Sequence, residues 1–305
     1  MLRFLLPLLL MLAPPLTLAA EVLQTLKLAD GIYALVGPTT NRTPENLGNN
    51  ANFGVLVGDD GVLLIDPGGT AKGAQMIETA IRGITDKPVR LVINTGGQDH
   101  RWLGNAYFKA RGARVIAHED AVADQQARLQ DQLQRLGGTA GDAALEGTEP
   151  AYADQTFADV LRLEFSGIPL ELYHAGHAHT PGDIFVWLPQ QRIVFTGDIV
   201  YMDRMLGVGS QSAHRSWIEA FEAMAALQPE LVVPGHGRPG PLTKARADTY
   251  DYLVFLRQAV GELLDEGLGM ESIGQIDQSR FEYLENYDML KGRNAQRVFG
   301  ELEWE

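Results

Sequence analysis

From Glu21 to Pro67 short apolar runs alternate with Gly, Asp and Asn turn signals, as VLQTLKL, GIYALVG, ANFGVLVG and GVLLID, and this spacing predicts an antiparallel opening sheet. After Asp66 the apolar period changes. Helical spacing over 70–83, 102–111 and 119–136 alternates with strand-like runs at 89–94 and 113–117, the rhythm of helices layered on a sheet. The stretch GGTAGDAALEGTEPAYA then breaks every period and predicts a flexible excursion, after which strands resume with DVLRLEF, IPLELYHA, DIFVWLP and RIVFTG. A helix over 215–227, the strand LVVP and a helical stretch from about Lys244 complete the pattern. Two sheet blocks, each followed by helices, predict one α/β domain over 21–305, a four-layer αββα sandwich with extra C-terminal helices over 244–305. Tyr173, Phe185 and Trp187 fall in strand-like runs and are expected in its core.

The first 20 residues stand apart from this pattern. Met1-Leu2-Arg3 followed by FLLPLLLMLAPPLTLAA has the charged start, apolar stretch and small-residue ending of a signal peptide over 1–20, so a periplasmic or secreted chain is expected. The chain has no cysteine, which excludes both disulfides and a thiolate metal site. A formal charge of -14, with no run among the 25 basic residues, argues against nucleic acid as a partner. No later segment is long and apolar enough to span a bilayer, so no membrane partner is expected after signal cleavage.

Five apolar runs stop at Gly or Pro beside a polar residue, in LLIDPG, LVINTGGQDH, LELYHAGHAH, IVFTGD and LVVPGH. One rim of one sheet would then collect Asp66, Asp99, His100, His177, His179, Asp198 and His236. Imidazole and carboxylate delivered from several strand ends form the ligand set of zinc or non-haem iron. His177 and His179, two apart in GHAHTPGD, would face the same side of an extended segment. The polar loop TTNRTPENLGNN is read as surface and as a candidate wall of the site, while His118, His174 and His214 are read as structural or solvated.

GVLLIDPG, AHTPGD, FTGD and PGHG, in this order, resemble the metallo-β-lactamase-fold hydrolase superfamily. The C-terminal stretch YDYLVFLRQAV through NAQRVFGELE is similar to its exported branch, the quinoprotein-relay zinc metallohydrolases. The resemblance implies the αββα sandwich and metal-dependent hydrolysis. It also exposes a departure. Where the family carries Thr-His-x-His-x-Asp-His-x-x-Gly-Asn, this chain runs from Thr95 to Asn105 with Gly96 and Gln98 in place of the two leading His.

For the first metal position the resemblance therefore implies only His179, a share of Asp198 and the amide oxygen of Gln98, with His177 a candidate replacement donor. The second position keeps His100, Asp198 and His236, with Asp99 nearby, which predicts a single divalent ion, zinc before iron. By the same resemblance Asp66 orients a ligand or the neighbouring loop. Asp99 is expected to accept a proton, Arg101 to stabilise the developing oxyanion, and Trp102 to narrow the pocket. The expected activity is hydrolysis of an ester, thioester, lactone, amide or lactam in a small-molecule substrate by water that the ion makes acidic. The alternatives are a catalytically degenerate periplasmic accessory protein with a redox partner, and a mononuclear iron oxygenase.

Overall fold

Alternate residues of one short strand already define three layers. In Val62–Ile65 the side chains of Leu63 and Ile65 join one apolar cluster and those of Val62 and Leu64 another, on the opposite face. A strand buried on both faces must lie between two packed layers. The computed structural model describes residues 22–305, so the predicted signal segment 1–20 lies outside the described residues. No described helix is long and apolar enough to cross a membrane.

The chain opens with β1 (Gln24–Ala29), β2 (Ile32–Val36), β3 (Asn52–Val57) and β4 (Val62–Ile65), paired antiparallel in sequence order. Helix α1 (Ala71–Arg82), capped by the Thr70 hydroxyl accepting from Gly73 N–H, then crosses to β5 (Val89–Ile93), which pairs parallel to β4. Helix α2 (Asn105–Lys109), β6 (Arg114–His118), α3 (Glu119–Ala140), α4 (Asp142–Leu145) and β7 (Gln155–Phe157) complete a seven-stranded sheet, with β5, β6 and β7 parallel.

The second sheet holds β8 (Val160–Phe165), β9 (Ile168–Tyr173), β10 (Phe185–Leu188) and β11 (Ile193–Phe195), antiparallel in turn. Helix α5 (His214–Ala226) leads to β12 (Leu231–Val233), parallel to β11. Then come α6 (Leu242–Ala245), a π-type turn over Arg246–Tyr250, α7 (Asp251–Asp265) and α8 (Tyr287–Leu302). Ile65, Ile93 and Ile116 of the first sheet meet Leu172, Val186 and Phe195 of the second in the central core. Outside them, Ile77 and Ile81 of α1 cover one sheet, and α5, α7 and α8 cover the other through Phe221, Leu256 and Val298. This is the expected αββα sandwich. Phe185 and Trp187 are buried in the outer cluster and Tyr173 packs against it.

Two local readings are corrected. The glycine-rich stretch after residue 136 is no flexible excursion: α3 runs on to Ala140, ends at Gly141 with φ 85°, and α4 follows. Leu136, Ala140 and Ala144 bury themselves against Trp102, which gives these small residues a packed role. The helix expected from residue 102 begins only at Asn105, because Asp99–Arg101 wind into a 3-10 turn.

Candidate metal centre

The parallel strands β4, β5, β11 and β12 all end at one rim, and the polar residues follow there. Asp66 comes directly after β4, in the left-handed region at φ 65°. That conformation is held by its carboxylate, which accepts from Thr95 N–H and Thr95 Oγ1, both at 2.7 Å, and from Arg101 Nη1 at 2.8 Å. Burial pushes the Asp66 carboxyl up while Arg101 and Thr95 oppose it; three donors on two oxygens are the geometry of a carboxylate. Asp198 sits in a 3-10 turn, Gly197–Ile199, after β11. His236 follows β12 past Gly235, where a Cβ would lie 2.6 Å from Arg101 Nη2, so only glycine lets these segments meet.

His100, Asp198 and His236 converge. His100 Nε2 and His236 Nε2 each lie 3.2 Å from a different oxygen of Asp198, and one donor atom from each residue falls within 4.8 Å of the others. All three residues are buried. Burial alone would raise the Asp198 carboxyl, but Arg101 and His100 outweigh it and hold the group well below the usual carboxylate range. Against the pull of Asp198, burial pushes His236 well below its ordinary value. Its Nδ1 faces the Asn50 carbonyl at 2.7 Å and must donate there, and Tyr201 stacks on the ring at 4.7 Å.

The other predicted residues lie around this trio in different roles. Arg101 was expected to stabilise an oxyanion, but it is 1% exposed and all five of its N–H groups are spent. They reach Asp198 Oδ1 at 2.7 Å and Oδ2 at 3.2 Å, Asp66 Oδ2, Asn52 O at 3.2 Å and Gly235 O at 3.1 Å. It is the internal counter-ion of two carboxylates. Asp99 was expected to accept a proton; burial opposes its ionisation, but Arg42 and His100 hold it far below the range of a useful base. It instead pairs with Arg42 and contacts His100 Nδ1 at 2.9 Å, next to Arg42 Nη2 at 2.7 Å.

His177 lies outside the cluster, its Nε2 on the Gln211 carbonyl at 2.6 Å, because residues 178–180 bend, with Ala178 N–H donating to Thr180 O at 3.3 Å, where the alternation reading needed an extended segment. His179 lines the same cavity as His100 and His236, with Nδ1 on the Gly207 carbonyl at 3.1 Å. Burial and then the nearby Arg128 push its ring down to about 4, against the pull of Asp198. Gln98 turns its amide oxygen to Arg128 Nη1 at 3.5 Å. Trp102 is not a pocket wall: fully buried, it donates to Gln132 Oε1 at 3.0 Å and stacks on Tyr152. Among the histidines read as structural, His118 caps α3 by accepting from Asp120 N–H, and it stacks on His174 at 3.9 Å.

Sequence reasoning missed Arg42, Tyr201 and Arg204, all at the cavity beside His100 and His236. Arg42 belongs to the polar loop read as a candidate wall, and it does stand at the site. Nothing in its neighbourhood along the chain distinguishes it from a solvated arginine.

The profile of the Metallo-beta-lactamase superfamily matches residues 47–236, more than half of the chain, and the chain belongs to that superfamily. It is 21% identical over 239 residues to a linear primary-alkylsulfatase of Pseudomonas sp., covering 68% of this chain and 44% of that one. It is 33% identical over 88 residues to the metallo-beta-lactamase type 2 of Bacteroides fragilis, covering 28% of this chain and 35% of that one. The chain thus spans less than half the length of either curated relative. Among solved structures, a metallo-beta-lactamase from Pontibacter korlensis superposes with a TM-score of 0.61 at 21% identity, over 76% of this chain and 99% of that one. An inverting sec-alkylsulfatase from Pseudomonas sp. superposes with 0.71 at 19%, over 91% and 50%. These likenesses carry the fold.

The superfamily implies a divalent metal ion, and the residues present fit one. His236 turns Nδ1 to the Asn50 carbonyl and Nε2 to one oxygen of Asp198 at 3.2 Å, while His100 Nε2 lies 3.2 Å from the other oxygen. Two imidazole nitrogens and a carboxylate converging within 4.8 Å are the donor set of a divalent cation. The family's other position does not fit in the same way. A Cβ at Gly96 would collide with Asp183 Oδ1 and stand 3.2 Å from Thr180 Oγ1, and the Arg128 guanidinium already sits beside Gln98.

Proposed function

We propose that the chain is a hydrolase working with one divalent ion, zinc before iron, held by His100, Asp198 and His236, with His179 on the facing wall. The observation that carries this reading is the convergence of donor atoms from His100, Asp198 and His236 within 4.8 Å of one another in the buried rim. Such an ion supplies Lewis acidity and a bound water of lowered pKa. The bond cleaved is an ester, thioester, lactone, amide or lactam, to which the alkylsulfatase relative's name adds a sulfate ester. The first 20 residues support a periplasmic or secreted setting.

The chain's own groups do the positioning. Asn50 O fixes the His236 tautomer, Tyr201 packs on its ring, and Arg101 aims Asp198 by a two-point fork. Asp99 and Arg42, paired with each other, both meet His100 at Nδ1 and hold its ring in place. Burial and the Asp198 charge raise the Tyr201 phenol well above its ordinary value, so its proton is retained. As a residue of the cavity wall, Tyr201 supplies the neutral donor to a developing oxyanion that Arg101 cannot.

Asp99 and Arg101 are both tied down, and this favours a second reading, a degenerate accessory protein with a redox partner. Metal quantification and a hydrolase substrate panel on one preparation separate the two. The hydrolase reading expects one ion per chain and turnover, both lost in His236→Ala. A chain with no stoichiometric ion, or turnover that survives His236→Ala, would sink it.

A further inference from the structure

The cavity over His100 and His236, about 530 Å³ in volume, is lined by Arg42, Arg135, Arg204, Arg293 and Arg297 and by no carboxylate. Acidic residues outnumber basic ones 39 to 25 along the chain, so this wall inverts the protein's own balance. Arg42 pairs with Asp99; the other four have no carboxylate within ion-pair distance among the described residues.

Arg204 is the informative one. It is 9% exposed, donates from Nη1 to Thr40 O at 3.0 Å and from Nη2 to Asn41 Oδ1 at 3.4 Å, and leaves Nε without a partner. Both its acceptors are neutral, and the charges of Asp198 and Glu285 only partly offset its burial, so an anion in the cavity would be favoured beside it. Arg293 and Arg297, four apart on α8, stand on one helix face; Arg297 ties that helix to the cavity's loop, donating from Nε to Gly209 O at 2.9 Å and from Nη2 to Ser210 O at 3.2 Å and Ser212 O at 3.3 Å, which leaves its Nη1 for a ligand. Arg135 comes from α3. Both α8 and Arg42 lie outside residues 47–236, so most of this charged wall belongs to the chain and not to the shared superfamily segment.

One planar fork suffices for a carboxylate. Guanidiniums from α3, the turn at Arg204 and α8 instead offer donors from three segments, which suits an oxyanion with acceptors in several directions. Val208 and Leu290 are the aliphatic side chains of the lining, so the organic part is small. We propose that this cavity recognises the tetrahedral oxyanion of a small sulfate or phosphate monoester through Arg204, Arg293 and Arg297, bringing the ester bond to the metal centre. Binding of the oxyanion stands on the arginines; cleavage of the bound ester rests on the hydrolase reading.

Calorimetric titration of the full chain with inorganic sulfate, phosphate and acetate at low ionic strength tests it. Saturable binding of sulfate or phosphate is expected, with acetate about tenfold weaker or more. A preference between the two oxyanions identifies the ester. Arg293→Gln with Arg297→Gln should weaken binding by about tenfold or more while metal content stays unchanged, and Arg204→Gln should do likewise if it folds. Absence of saturable oxyanion binding, acetate as tight as sulfate, or unchanged affinity in the α8 double variant would overturn the proposal. A chain that binds the oxyanion yet holds no ion retires the hydrolase reading alone; an active, loaded hydrolase that binds no oxyanion retires this one alone.

Discussion

Replacing Arg101 by Leu removes one side chain and strands four partners. Asp66 and Asp198 each lose a charged partner, and the carbonyls of Asn52 and Gly235 lose their donors, all of it in the buried rim. Breaking a buried pair costs about 3–5 kcal/mol, and an orphaned buried acceptor about 1–3 kcal/mol. Against a total stability of about 5–15 kcal/mol, even the lower end takes a large share. Urea unfolding with and without chelator is the assay. Arg101→Leu is expected to lose at least about 3 kcal/mol in chelator and less with the ion present, since Asp198, freed of its fork, holds a cation more tightly. Arg101→Lys should fall between, keeping the charge and losing the fork. If Arg101→Leu stayed within about 1 kcal/mol of the parent while kcat collapsed, Arg101 would be touching the reaction and its assignment as a counter-ion would be wrong.

Burial and the Asp198 charge push the Asp183 carboxyl up to about 8, so the folded chain holds a proton that the unfolded chain releases near the ordinary value of 3.8. Stability should therefore fall as pH rises between these values, by up to about 1.4 kcal/mol per unit, and Asp183→Asn should flatten the curve; parallel curves for the two proteins would refute this. Gly96→His, which restores the family residue, is expected to destabilise by about 1–3 kcal/mol through its collision with Asp183 and to leave metal content at one ion, so a gain to two would contradict the geometry. Trp102→Ala should cost about 3–5 kcal/mol in thermal or urea unfolding. A changed KM at unchanged stability would instead return Trp102 to the pocket.

The sandwich was legible because its strands are written as alternation: Phe185 and Trp187 point one way, Val186 and Leu188 the other, and the two sets belong to different clusters. The rim was legible for the same reason, since an apolar run that stops at Gly or Pro marks a strand end, and Asp198 and His236 stand just beyond two of them. Misreadings began where that periodicity lapsed. A 3-10 turn advances about 120° per residue, so Asp99, His100 and Arg101 point three ways and only His100 lines the cavity. The bend at 178–180 similarly parted His177 from His179. The arginines of the cavity were invisible for a different reason. An unpaired arginine reads as solvated until the fold shows what surrounds it, although the spacing of Arg293 and Arg297 on a helical stretch was already there.

Asn52, the first residue of β3 in the opening half, clasps the closing one, donating from its backbone N–H to Gly235 O at 2.9 Å and from Nδ2 to Pro234 O at 2.8 Å. His100 stands on one side of that seam, Asp198 and His236 on the other. On the hydrolase reading an ion shared by these three residues would bridge the seam, so cation exchange is expected to keep pace with amide hydrogen exchange at Asn52, slow however weak each ligand is by itself.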